Sequence, residues 1–107
     1  MDLPEKVKVA GIDVKLIDWC PEEADEFGAY GIFSAGRSLI KVDTSKDEVK
    51  VIETLIHEVL HAICAGYHIR EDDDEERTVS VMATGLTQVF RDSPELLDLI
   101  IEHLGDK

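Results

Sequence analysis

The chain has 107 residues, with 24 acidic and 11 basic side chains and a formal net charge of −13. That balance lacks the basic face which nucleic acid or an anionic membrane needs, so neither is expected as a partner, and cations are favoured. The length fits a single domain over residues 1–107, and a hydrophobic content of 44% allows a modest core.

No segment reaches the roughly 20 apolar residues of a membrane span. The start, Met1-Asp2-Leu3-Pro4-Glu5-Lys6, lacks the apolar stretch of a signal peptide. Cys20 and Cys64 form no C-x-x-C pair, so no disulfide framework is expected and the expected location is cytoplasmic.

Val7 to Ile17 alternates apolar and polar residues around Gly11, which predicts a strand, or a hairpin turning near Ala10-Gly11. Pro21 to Glu26 is acidic and reads as a loop. Tyr30 to Phe33 is a short strand. Ser34-Ala35-Gly36-Arg37 is a turn, with Gly36 available for positive φ, and Ser38 to Val42 is the return strand.

Ser45 and Glu48 have capping-box spacing and open a helix of about twenty residues. Ile52, Leu55, Ile56, Val59, Leu60 and Ile63 form its apolar stripe. Gly66 is placed to stop it in a left-handed conformation. A loop from Tyr67 to Asp73 follows. Asp73 and Glu76 have the same capping-box spacing and open a helix to about Arg91, with Val79, Met82, Ala83, Leu86 and Phe90 facing the core. Ser93 caps a third helix with Pro94 in its first turn, Leu97, Ile100, Ile101 and Leu104 pack it, and Gly105 ends it. The expected fold is α+β, a small antiparallel sheet followed by three helices.

Inside the first long helix, residues 57–61 read His57-Glu58-Val59-Leu60-His61, an H-E-x-x-H motif. Histidines at i and i+4 project from one side of a helix and can share a metal ion, and the glutamate can act on a water beside it. The plainer alternative is a helix with solvated His and Glu on its polar face. At about 100° per residue, the histidines fall just outside the apolar stripe and Glu58 lies on the far side of the pair. Packing is therefore expected to be indifferent to Glu58.

A catalytic zinc usually has three protein ligands and one open position. The metzincin position six residues after His61 is Tyr67, so that pattern fails. If the two long helices run antiparallel, Glu76 is level with His61 at the margin of its stripe, and it is the expected third ligand. Glu75 is second choice, because it is nearer the middle of the stripe, where burying a carboxylate costs more. A capping-box role for Glu76 is the rival reading. Cys64 shares the histidine side of the helix and is read as a buried free thiol. His103 is either a stabiliser of an oxyanion or a solvated helix end.

From about Ser38 to Pro94 the stretches SLIKVD, TLIHEVLHAI and EERTVSVMATGLTQVFRDSPEL carry a likeness. The chain resembles the small H-E-x-x-H proteins of phages and prophages, which are related in site pattern to the ImmA/IrrE-type metallopeptidases. The resemblance implies a minimal zincin-like core and a Zn2+ site made by His57, His61 and Glu76, with Glu58 as the catalytic residue. The better-known pattern places an Ala-Asn pair soon after the ligand glutamate, whereas here Ala83-Thr84 comes later and lacks the asparagine.

The function expected is zinc-dependent hydrolysis of a peptide bond in a peptide or protein substrate, held along an edge strand read as Ser38 to Val42. The alternatives are a zincin-fold metal-binding accessory protein without turnover, and a metal-free helical interaction protein. Oligomeric state is not legible.

Overall fold

The computed structural model describes residues 1–105. Of the two readings of the first segment, a strand or a hairpin, it folds as the hairpin, β1 (Lys6–Val9) and β2 (Ile12–Asp18). Val7, Val9, Val14 and Leu16 turn inward and are buried, while the lysines between them face solvent. The two-residue turn needs positive φ at both positions, and Ala10 and Gly11 take φ 51° and 79°.

The segment expected to be a loop is a short helix, α1 (Pro21–Phe27). Pro21 pre-sets its first turn, Glu22 and Glu23 complement the dipole, and Gly28 ends it in the left-handed region at φ 83°. One buried side chain, Ala24, is too little apolar signal to be seen as a period. The chain then forms β3 (Gly31–Ser34) and β4 (Leu39–Val42). In the turn between them Ser38, not Gly36, takes the positive φ.

The sheet order is β1-β2-β4-β3. β1/β2 and β3/β4 are antiparallel, but β2 and β4 pair parallel, so the sheet is mixed and not purely antiparallel as expected. The crossover through α1 and β3 returns β4 beside β2 in the same direction. This also corrects the edge: Ser38 to Val42 is interior, and β3 is the outer strand on that side.

Three helices follow, α2 (Glu48–Gly66), α3 (Glu75–Asp92) and α4 (Pro94–Leu104), which completes the α+β architecture. The caps of α2 and α3 fall beside the expected residues, and Ser93 holds the N-cap position of α4 as expected. Asp47 caps α2 by accepting from the Lys50 N–H, while Ser45 donates to Asp43 Oδ1. Asp74, not Asp73, caps α3, accepting from the Arg77 N–H. Ser93 precedes α4, but its Oγ accepts from the Lys8 N–H at 2.9 Å and ties α4 to β1. Gly66 keeps negative φ, and the left-handed residue is His68 at φ 57°. A Cβ at Gly66 would lie 2.7 Å from that of Ala10, so this glycine serves close approach to the hairpin.

One core joins the sheet to α2, α3 and α4, with Ile40, Val42, Ile52, Leu55 and Ile63 at its centre. Met82, Leu86, Phe90 and Ile100 pack against the core as expected, but the most buried line of each of the last two helices is rotated from the expected stripe. In α3 Gly85 and Val89 are buried, and Val79 and Ala83 are exposed. Gly85 permits this, because a Cβ there would lie 2.5 Å from Ile63 Cγ2. In α4 Leu96 and Leu99 are buried, and Leu97, Ile101 and Leu104 are exposed. Among the described residues no helix is long and apolar enough to cross a membrane.

Between β4 and α2, Asp43 is buried, and its Oδ1 accepts from Ser45 N–H at 2.9 Å and Ser45 Oγ at 2.6 Å. Burial works to raise its pKa, but the Ser45 bonds and the Lys46 ammonium outweigh it and hold the carboxyl below the usual range. A depressed folded pKa stabilises above the unfolded value and is lost as pH falls through the folded one. Asp43→Asn is expected to cost about 1–2 kcal/mol at pH 7. That deficit should begin to shrink as pH falls below about 4, where the unfolded carboxyl protonates, and close only below the lower value of the folded carboxyl. Thermal unfolding of both proteins at pH 7 and pH 3 checks this, and a deficit constant with pH would reject it.

Candidate metal centre and cleft

Helix α2 is buried over a wider arc than its main apolar stripe. Val51, Thr54 and Ala62 extend that arc toward the sheet, and the only face left open carries Glu53, His57 and His61. The histidines are exposed there, with His57 Nε2 3.2 Å from His61 Nε2. Their rings meet edge to face, with centroids 4.8 Å apart.

That separation tests the pair as metal ligands. A tetrahedral zinc with Zn–N bonds of 2.0–2.1 Å sets neighbouring ligand nitrogens about 3.3–3.4 Å apart. The two Nε2 atoms therefore converge as one ion requires.

Glu58 is not where the helical wheel put it. It is 6% exposed, lying under β3 within the widened arc. Gly31 makes this possible: a Cβ there would meet Thr54 Cγ2 at 2.6 Å, the Lys41 carbonyl oxygen at 3.0 Å and Glu58 Cγ at 3.3 Å. The packing that was expected to ignore Glu58 is close on its stem. Its carboxylate nevertheless opens on a cleft of about 340 Å³ lined by Tyr30, Gly31, Lys50, Thr54 and His57. Lys50 and Glu53 form an ion pair at 3.3 Å, and the Lys50 ammonium lies 4.5 Å from the centre of the Tyr30 ring.

Tyr30, Gly31, Lys50 and Thr54 were not singled out from the sequence. Lys50 and Thr54 precede His57 by seven and three residues, so helical periodicity could have placed them beside it. Gly31 and Tyr30 carry no such signal, because only tertiary packing brings β3 over α2.

The other candidates are dispersed. Glu76 is exposed in the first turn of α3, where its Oε1 accepts from Ser80 Oγ at 3.4 Å. At 100° per residue it is about 180° from Gly85, the point of closest packing on α2. Glu75 is exposed in the same turn. Cys64 is a half-buried free thiol. His103 Nδ1 lies 3.1 Å from Glu48 Oε1, at the first turn of α2. Nine residues of helix, about 13–14 Å, separate that turn from His57. Among the described residues no third His, Cys, Asp or Glu joins the histidine pair in a group able to hold a metal. The structure thus brings His57 and His61 together, sets Glu58 beside His57 in the lining of the cleft, and leaves Glu76 apart.

Compared with protein-family models, curated proteins and solved structures, the chain finds no match.

Proposed function

We propose that this protein is a zinc-dependent peptide hydrolase of minimal zincin-like build. The observation that carries the reading is the convergence of His57 Nε2 and His61 Nε2 at 3.2 Å beside a cleft into which Glu58 opens. The likeness of the motif and its flanks to the phage and prophage H-E-x-x-H proteins supports it. His57 and His61 would hold the ion. Glu76 remains the proposed third ligand on that resemblance alone; α3 as packed on Ile63 turns it away from α2, so ligation would need α3 to reseat as well as loss of the Ser80 contact.

Zinc at such a site lowers the pKa of water toward about 7 and polarises a carbonyl. The chain's own part is proton transfer and positioning. Glu58 accepts the water proton on a carboxylate oxygen and returns it to the leaving amine. The approach of β3 at Gly31 covers the Glu58 stem, so the side chain is held in the lining of the cleft. β3, as the outer strand above this cleft, is the strand on which an extended peptide adds by main-chain hydrogen bonds.

Protein made in zinc-replete medium is expected to carry about one zinc per chain, measured by elemental analysis without chelators. Glu76→Gln is expected to weaken zinc binding more than Glu75→Gln or Asp73→Asn, read by competition with a chromogenic chelator. No transition metal in well-folded protein rejects the metal centre. Unchanged affinity in Glu76→Gln rejects the third ligand alone.

A further inference from the structure

In a chain with 24 acidic side chains and 11 basic ones, the cleft beside the histidines contains a lysine. The other charged groups of its lining are Glu53 and Glu58, with His57 the remaining titratable one. Lys50 is the third residue of α2, where the N-terminal end of the helix dipole disfavours a positive side chain. Two contacts hold its ammonium there. Glu53 lies 3.3 Å away, and the centre of the Tyr30 ring 4.5 Å away.

Lys46 is the other cation near this ring, and it is already committed. Its ammonium lies 6.0 Å from the Tyr30 centre, in an adjoining hollow of about 240 Å³ that shares Ala29 and Tyr30 with the cleft. Two carboxylates flank it, Asp43 at 3.6 Å and Asp25 at 3.7 Å. Among the described residues Lys50 is ion-paired with Glu53 alone, an exposed carboxylate, and such pairs are worth little. An ammonium has three N–H donors, so Lys50 keeps donors for a further oxygen. It is also half-buried, where a charge-assisted bond is less screened than at an open surface.

We infer that Lys50, steadied on Tyr30, anchors a carboxylate of the peptide that enters the cleft, about two residues beyond the bond presented to the histidines. The identity of the ligand as a peptide rests on the hydrolysis reading. Glu53, which the ammonium meets, precedes His57 by four residues, about 6 Å of helix. Two residues of extended chain span about 6.6–6.8 Å. Strand β3 and helix α2 advance in the same direction, since Gly31 lies against Thr54 and Glu58, and Phe33 and Ala35 share a hollow with Ala62 and Ala65 farther along. A peptide antiparallel to β3, the slightly stronger pairing, therefore points its carboxyl end toward Tyr30 and Lys50. The terminal carboxylate is the expected source, and an Asp or Glu side chain at that place supplies the same chemistry. The net charge of −13 repels a polyacidic peptide at long range, so one carboxylate at one position is favoured over an acidic run.

The test reads binding, not turnover, so that it stands apart from the hydrolysis reading. Three peptides are titrated into the full chain carrying Glu58→Gln, which prevents their consumption, with and without added zinc, and followed by amide NMR. They are acetyl-Thr-Thr-Thr-Ala as the free acid, the same peptide as the amide, and acetyl-Thr-Thr-Thr-Asp as the amide. The free acid should bind about five- to tenfold more tightly than its amide, with shifts centred on Tyr30, Gly31, Lys50 and Thr54. An Asp amide as weak as the Ala amide assigns the site to the chain terminus, and one as tight as the free acid assigns it to a side chain. Lys50→Met keeps the length of the stem and should erase the preference, while Lys50→Arg should keep it. The anchor is overturned if no peptide binds, if all three bind alike, if the shifts lie elsewhere, or if the preference survives in Lys50→Met, which would put the carboxylate on the zinc. Peptide cleavage by the wild type alongside any of those results would leave the hydrolysis reading standing and remove only the anchor. A Lys50-dependent preference in a chain that takes up no zinc would do the reverse.

Discussion

Glu58→Gln is expected to lower peptide hydrolysis by about 10²–10⁴ while keeping the fold and the zinc. The substitution preserves side-chain volume, which matters because Glu58 is 6% exposed and its stem packs under Gly31. It removes only the ability to accept a proton at the cleft wall. Among the described residues the Glu58 carboxylate makes no hydrogen bond or ion pair, so no structural bond is lost with its charge. A larger change such as Glu58→Lys would confuse chemistry with packing, because the site is buried under β3. The assay is cleavage of a peptide library by wild type and variant, with far-UV circular dichroism and zinc content measured on both. Equal cleavage by the two removes Glu58 from the mechanism. No cleavage by either, with zinc bound, turns the reading to a metal-binding accessory protein without turnover.

Leu55→Ala should have the largest effect on stability, about 2–5 kcal/mol. Leu55 is 0% exposed and lies where α2 meets both the sheet and the pair α3–α4. Removing its branched end leaves a void that neither layer can close without breaking the other's contacts. Against a total of about 5–15 kcal/mol for a domain, this is a large share. Chemical denaturation reads it directly, and a loss below about 1 kcal/mol would mean that α2 is not clamped between the two layers. The consequence reaches the site, since His57, Glu58 and His61 lie within two turns of Leu55 and keep their positions only while α2 stays seated on β3.

Periodicity and short-range chemistry were enough for much of this. The alternation of Val7, Val9, Val14 and Leu16 specified the first hairpin, and Ala10-Gly11 specified its turn. Ile52, Leu55, Val59 and Ile63 specified α2 and one of its buried faces, and the i, i+4 spacing put His57 and His61 together. These features depend on residues within a few positions of each other, so the local pattern contains them. Capping was only half legible. Runs such as Asp72-Asp73-Asp74 and Ser45-Lys46-Asp47 offer several oxygens, and which one bonds an N–H depends on where the helix axis is fixed by packing.

Tertiary structure alone decided the rest. Which strand is the edge depends on a parallel pairing between β2 and β4, a contact between segments more than twenty residues apart, and hydrophobic pattern does not encode pairing order. Glu58 is buried because β3 lies over α2 at Gly31, a glycine whose role is the absence of a side chain and is therefore silent in any count of apolar residues. The rotation of α3 follows from Gly85 settling on Ile63, and the same rotation turns Glu76 outward, away from the histidines it was expected to join. A helix shows its own amphipathic stripe in sequence, but the angle at which that stripe docks is set by the shape of the partner surface, which no single segment contains.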